Sequence, residues 1–271
     1  MHSPFFFLHI PKTAGTTLNH IFAAKFPEGT ICSVYTKEEN EFLRKISAEE
    51  VDRIKLVQGH IFVHNFDEFF SGAFGKYAFT FLRDPVARVV SEYNFLRTWP
   101  ENHLYRYLNE EKVTLIEYVS SQRPELIYRG KNLMARSLCG AVEDGRSMLE
   151  RAKDNLQRLH LFGITERFDE SLLLLRRMMN LENILYEKHN VRKKRSEITD
   201  EELEVVREYN SQDIELYKFA SSLFEQRVND LGDDFKKELA VFKNMNERYQ
   251  RIASLLMKQN ADDNEDFIYG K

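Results

Sequence analysis

The run FFFLHIPKTAGTTL, residues 5–18, decides how the rest of the chain is read. Phe5, Phe6, Phe7 and Leu8 are apolar without alternation, the pattern of a short strand buried on both faces, and Pro11 ends the run because it lacks an N–H. Leu18, Ile21, Phe22 and Phe26 then recur at helical spacing, so strand, loop and helix follow in order. The loop carries Lys12, Thr13, Ala14, Gly15, Thr16 and Thr17. Small residues leading into a helix start leave backbone amides unpaired beside the positive end of the helix dipole, and both attract an anion. A nucleoside-triphosphate loop places its lysine after the second glycine, whereas Lys12 precedes Gly15. Any one of these residues alone is explained by a polar turn with a threonine cap. The cluster favours a phosphate or sulfate site.

Three further strands are predicted, at residues 55–58, 77–82 and 159–164, and each runs into polar residues: Gly59-His60, Arg83-Asp84-Pro85 and Thr165-Glu166-Arg167. In an open parallel sheet ligands bind outside the carboxyl ends of the strands, so these tips are expected around one crevice. Asp84 before Pro85 is a strong helix start, and Val86, Val89, Val90 and Tyr93 give the helix beyond it one apolar stripe. From there to about residue 138 the pattern is mainly helical. Thr199-Asp200-Glu201-Glu202 has the form of a capping box and opens a helix expected to run to about residue 225. The expected organisation is an α/β domain over residues 1–225, with a central, mostly parallel sheet and helices on both faces, and a helical C-terminal extension with a polar tail over 226–271.

A formal charge of −4 and a pI near 6.1 argue against a nucleic-acid binder held by bulk electrostatics, so anion affinity has to come from locally placed cations. Cys32 and Cys139 are too few for a disulfide scaffold or a thiolate metal site, and their scarcity fits a reducing compartment, so a cytoplasmic location is expected. The apolar opening lacks a basic n-region and stops at His9, which is too short for a signal peptide, and no later window approaches a membrane span. No metal site is expected. His60 and His64 are four apart, but Gly59 disfavours a continuous helix there and no third ligand is evident. Arg83, at the tip of a buried strand, needs a partner for its charge, and with Arg88 and Ser91 on the next helix it offers a fork-shaped cation and a hydroxyl to a second anion.

HIPKTAGTTL and FTFLRDPVARVVSEY together resemble the two cofactor signatures of the sulfotransferases that use 3′-phosphoadenosine 5′-phosphosulfate (PAPS). The likeness is to the carbohydrate branch related to the heparan sulfate 2-O- and 6-O-sulfotransferases. QGH at 58–60, NLMARSLCG from Asn132, FGITERFDESLLLL from Phe162, and KHNVRKKR ahead of YNSQDIELYKFA extend the resemblance in the expected order over most of residues 5–220.

The resemblance implies a P-loop-like sulfotransferase fold and transfer of a sulfuryl group from PAPS to a hydroxyl, most plausibly on a carbohydrate, without a metal. It implies that Lys12 contacts the transferring group and that amides and hydroxyls from Thr13 through Ala14, Gly15 and Thr16 to Thr17 hold the 5′-phosphate. Arg83 and Ser91 would bind the 3′-phosphate, with Arg195 from the basic loop as a further candidate. His60 matches the family's proposed base, a role that suits a neutral imidazole. Asn132 and Arg136 could face the acceptor or the cofactor. The competing readings are a P-loop small-molecule kinase, which would need magnesium, and a nucleotide-binding protein without turnover. A homodimer through the C-terminal helices is left open.

Overall fold

In the computed structural model, which describes residues 4–63, 77–141, 144–187 and 198–269, β1 (Phe5–Leu8) lies at the centre of a five-stranded sheet. Its companions are β2 (Ile31–Val34), β3 (Leu56–Gly59), β4 (Ala78–Leu82) and β5 (Leu161–Ile164), in the order β2-β3-β1-β4-β5, and every pairing is parallel. Burial explains the unbroken apolar strands. Phe7 stacks on Phe79 with centroids 5.0 Å apart and meets Phe22 of α1 (Gly15–Lys25) edge-on at 5.9 Å. One core cluster takes in all five strands and reaches Phe235 and Phe242.

From β1 the chain crosses through α1 to β2 on one side of the sheet, and it returns on the other side at β4. Crossovers of the usual right hand running in opposite directions put their helices on opposite faces and open a crevice beyond the carboxyl end of β1. The loop carrying Lys12 leaves the sheet at this switch point.

β2 escapes the sequence reading. It is an edge strand of four residues, three of them partly exposed, and too short to show a period. Between it and β3 lie α2 (Lys37–Lys45) and α3 (Ala48–Arg53), each opened by a capping box, at Thr36 with Glu39 and at Ser47 with Glu50. Beyond β4 the expected helical stretch is α4 (Pro85–Leu96), α5 (Leu104–Glu110), α6 (Leu115–Ser120), α7 (Pro124–Gly130) and α8 (Leu133–Leu138). Val89, Tyr93 and Leu96 of α4 form a second, smaller core with Leu104, Leu108, Tyr118, Leu126 and Val206. α9 (Met148–Arg158) leads to β5, and α10 (Phe168–Met179) follows it.

The helix expected from Thr199 to about residue 225 is in fact two. The Thr199 capping box opens α11 (Asp200–Tyr209), and α12 (Ser211–Asp230) starts after a break at Asn210. The break serves a reciprocal lock. Asn132 Oδ1 accepts from the Gln212 and Asp213 amides, both at 3.1 Å, while Asp213 accepts from the Met134 and Ala135 amides at 3.1 and 2.7 Å. Asn210 Oδ1 accepts the Asn132 amide at 2.8 Å. The segments NLMARSLCG and YNSQDIELYKFA thus cap each other's helices. This corrects the expectation that Asn132 and Arg136 face a ligand: Asn132 is engaged by α12, and the Arg136 guanidinium donates to the Lys131, Ile127 and Tyr128 carbonyls.

α13 (Gly232–Tyr269) is a 38-residue helix whose first turns pack through Phe235 and Phe242, while Val241, Met245, Tyr249, Ile252, Leu255 and Leu256 are exposed. Among the described residues, no helix is long and apolar enough to cross a membrane.

Candidate active site

Lys12 and Ala14 both adopt left-handed backbone, at φ 70° and 69°. For residues with a side chain this conformation costs on the order of 1–2 kcal/mol each and persists only where the surroundings impose it. Two hydrogen bonds do so. The Thr13 hydroxyl, fully buried, donates to the Ile10 carbonyl at 2.7 Å, and Arg83 Nη1 donates to the Lys12 carbonyl at 3.1 Å. Ala14 becomes the N-cap of α1, and no side chain caps that helix. The first amides of α1, those of Gly15, Thr16 and Thr17, therefore have no intrahelical acceptor. The Thr13 hydroxyl, expected from the sequence to help hold an anion, is engaged inside the protein, which leaves only its backbone for a ligand.

The glycine in this loop makes room for His9. A Cβ at Gly15 would lie 1.7 Å from His9 Nε2. The His9 ring stacks on Phe7 at 5.3 Å and contacts Tyr35 edge-on at 5.7 Å. Tyr35 Oη accepts from Asn19 Nδ2 at 3.0 Å and shares a hydrogen bond with His9 Nδ1, 3.2 Å away. Tyr35 thus ties His9 Nδ1 to Asn19, and His9 Nε2 is the ring nitrogen on the side of Gly15. Burial, the neighbouring His60 and the Lys12 charge lower the His9 pKa to about 3, so the ring is neutral.

His60 stands at the tip of β3. Gly59 is required beside it, since a Cβ there would come within 1.9 Å of the Val34 carbonyl. Gln58, buried, donates from Nε2 to Ser33 Oγ at 3.2 Å, and the His60 amide donates to the Val34 carbonyl at 3.0 Å. QGH is therefore a strand end pinned to β2 that presents one imidazole. That imidazole lies 5.1 Å from the His9 ring and 4.9 Å from Tyr35, centroid to centroid. Burial lowers its pKa to about 4, opposed by Glu92 and reinforced by Arg129. Glu92 and Arg129 form an ion pair with each other, Glu92 nearly fully buried. No spacing in the sequence points to His9, Tyr35, Glu92 or Arg129, because four separate elements bring them together.

From the β4 side, Arg83 is half-buried, and Asp84 caps α4 by accepting from the Ala87 amide at 2.8 Å, as its place before Pro85 predicts. Ser91 is half-buried on α4, and one turn further along, the Phe95 ring lies 3.8 Å beneath Lys12 Nζ. The fold therefore brings Lys12, the start of α1, Arg83 and the α4 face of Ser91 and Phe95 into one region. Arg195 and His64 lie outside the described residues. A groove of about 250 Å³ bounded by Arg176, Ile184, Leu185, Val241, Phe242 and Met245 shares no residue with this region.

Comparison with known proteins points the same way. The human heparan-sulfate 6-O-sulfotransferase 1 is 26% identical over 216 residues, covering 69% of this chain and 53% of that protein. The mouse heparan-sulfate 6-O-sulfotransferase 3 is 28% identical over 182 residues, covering 56% of this chain and 39% of the relative. The chain thus spans about half the length, or less, of these curated relatives. Residues 3–265 match the family described as galactose-3-O-sulfotransferase, and with nearly the whole chain inside that match, the protein belongs to this family of carbohydrate sulfotransferases.

Proposed function

We propose that the protein transfers a sulfuryl group from PAPS to a hydroxyl of a carbohydrate acceptor. The observation that carries this reading is the Arg83 to Lys12 hydrogen bond, which joins the two expected anion sites at neighbouring strand ends. The residues fit the donor. Uncapped amides at the start of α1 suit its 5′-phosphate, and the fork of Arg83 with the Ser91 hydroxyl suits its 3′-phosphate. Arg195 is a further cation for the 3′-phosphate in this proposal.

The donor supplies an activated sulfuryl group. The acceptor oxygen bonds to sulfur as the bond from sulfur to the bridging phosphate oxygen breaks, and the 5′-phosphate leaves with the electron pair. The Lys12 ammonium and the α1 amides stabilise the charge that grows on that oxygen, a type of contribution worth ~10²–10³ in rate per donor group. The neutral His60 imidazole accepts the proton of the attacking hydroxyl, a role typically worth ~10²–10⁴-fold.

The test is calorimetry with 3′,5′-adenosine bisphosphate, followed by incubation with donor and a panel of oligosaccharides, read by mass gain of one sulfuryl group. Saturable binding and a mass gain that persists with a magnesium chelator are expected. Absence of bisphosphate binding, or turnover abolished by the chelator, sinks the proposal.

A further inference from the structure

Among the described residues, the exposed large apolar side chains lie on α13 with a single exception, Trp99, which is 39% exposed. An isolated exposed apolar residue needs no explanation in itself. Its placement does. Trp99 follows the end of α4 and lies against Phe95, with ring centroids 5.2 Å apart and planes inclined by 37°. Lys12 Nζ also lies on Phe95, 3.8 Å from the ring centroid. Ser91 and Phe95 lie one turn apart on α4, and Phe95 touches Trp99 just beyond the helix end, so a path that begins at the expected 3′-phosphate ligand passes under the lysine and ends on an open indole.

The backbone that carries the indole is also held in place. The Trp99 carbonyl accepts from the Asn102 amide at 3.0 Å, and the Thr98 hydroxyl donates to the Asn94 and Phe95 carbonyls at 3.2 and 3.0 Å. A ring that leaves an ordered turn and already rests on Phe95 has less freedom to lose when a ligand covers it.

We infer that Trp99 is a stacking platform for a pyranose ring of the acceptor, next to the sugar whose hydroxyl is sulfated; this inference rests on the carbohydrate sulfotransferase reading above. One face of a pyranose carries axial C–H groups with slight positive charge, and the face of an indole is electron-rich, so the two attract while both shed water. The hydroxyls around the sugar rim stay solvated. A platform of this kind selects for ring-shaped acceptors and leaves the choice of hydroxyl to the groups around Lys12 and His60.

Trp99 is the only tryptophan in the chain, so its fluorescence reports on this position alone. Titration of the unaltered protein with a desulfated heparan octasaccharide and with N-acetyllactosamine is expected to give a saturable change in tryptophan emission for whichever sugar the protein sulfates. Trp99→Ala is expected to raise the acceptor KM roughly tenfold, by more than kcat falls, with Trp99→Phe restoring most of the loss. Affinity for 3′,5′-adenosine bisphosphate is expected to stay as it was, which also shows that the variant folds. An unchanged acceptor KM in Trp99→Ala, or no emission change with a sugar that the protein does sulfate, overturns the platform while leaving the sulfotransferase reading intact. If the unaltered protein binds no bisphosphate and sulfates no sugar, the functional reading fails and the platform fails with it.

Discussion

Arg83 Nη1 donates a hydrogen bond to the Lys12 carbonyl at 3.1 Å, across 71 positions of sequence. One guanidinium therefore has two tasks. It sets the strained backbone of the first loop and places a cation beside it. A protein that clasps both ends of an adenosine bisphosphate needs these two loops in fixed relation, and Arg83 ties them directly.

Replacing Arg83 tests that double role. Arg83→Ala removes a charge-assisted contact worth ~1.5–3 kcal/mol, so bisphosphate affinity is expected to fall roughly 10- to 100-fold. Arg83→Lys keeps the charge but not the fork, and it is expected to recover only part of the loss. Calorimetry with the bisphosphate measures both. Equal affinity in all three proteins would remove Arg83 from the site.

Lys12 needs a control for its backbone, since its φ of 70° suits glycine better than alanine. Lys12→Gly is therefore the cleaner deletion of the ammonium. We expect kcat for sulfuryl transfer to fall by ~10²–10³ while the loop keeps its shape. Rapid-quench measurement of the transfer step is the check, and a change confined to KM would place the lysine in binding alone.

Gly15→Ala drives a methyl group to 1.7 Å from His9 Nε2, and the His9 ring, stacked on Phe7 and hydrogen-bonded to Tyr35, has little room to retreat. A destabilisation of ~1–3 kcal/mol is expected, as for overpacked cores. The double variant Gly15→Ala with His9→Ala should recover part of it, because the clash has then lost one partner. Urea unfolding of the four proteins of that cycle reads the coupling directly, and strict additivity would refute it.

His60 and His9 have folded-state pKa values of about 4 and about 3, below the ordinary 6.5. The unfolded chain takes up these protons first as the pH falls. The stability tied to the two neutral rings is complete above pH 6.5 and is lost as pH drops through the window down to these values. A bound bisphosphate brings negative charge near His60 and favours its protonated form, so an upward shift is expected on binding. NMR titration of the His60 ring proton, identified with His60→Gln, measures it in both states. A value of 6.5 or above in the free protein, or a downward shift on binding, would contradict the arrangement.

Asp213 is fully buried, caps α8 through the Met134 and Ala135 amides, and faces Arg88, which is equally buried. Burial raises its pKa, and Arg88 opposes the rise. Asp213→Ala leaves Arg88 without that counter-charge and α8 without its cap, so a loss of ~3–5 kcal/mol is expected. Chemical denaturation is the measurement, and a loss below ~1 kcal/mol would show that the lock between α8 and α12 contributes little.

The strand, loop and helix at residues 5–18 were legible from sequence, as were β3, β4 and β5, because buried parallel strands are written as unbroken apolar runs and caps as local side-chain patterns. β2 was not, since three of its four residues are partly exposed and Ile31-Cys32-Ser33-Val34 is not an unbroken apolar run. A place for Asn132 facing a ligand was open from sequence because a polar residue gives no sign of which backbone it will bond. Only its contact with Gln212 and Asp213 shows that it caps a helix.

By itself, then, the sequence determined the four central and C-terminal strands of the sheet, the helix starts and the residues at the strand tips, all properties of neighbours along the chain. Tertiary structure alone decided that Arg83 reaches the Lys12 carbonyl, that Gly15 yields its space to His9, and that Glu92 and Arg129 act on His60. The reason is range: hydrophobic period and capping act within a turn or two of chain, whereas a charge or a steric clash acts between whatever surfaces the fold brings within a few ångströms.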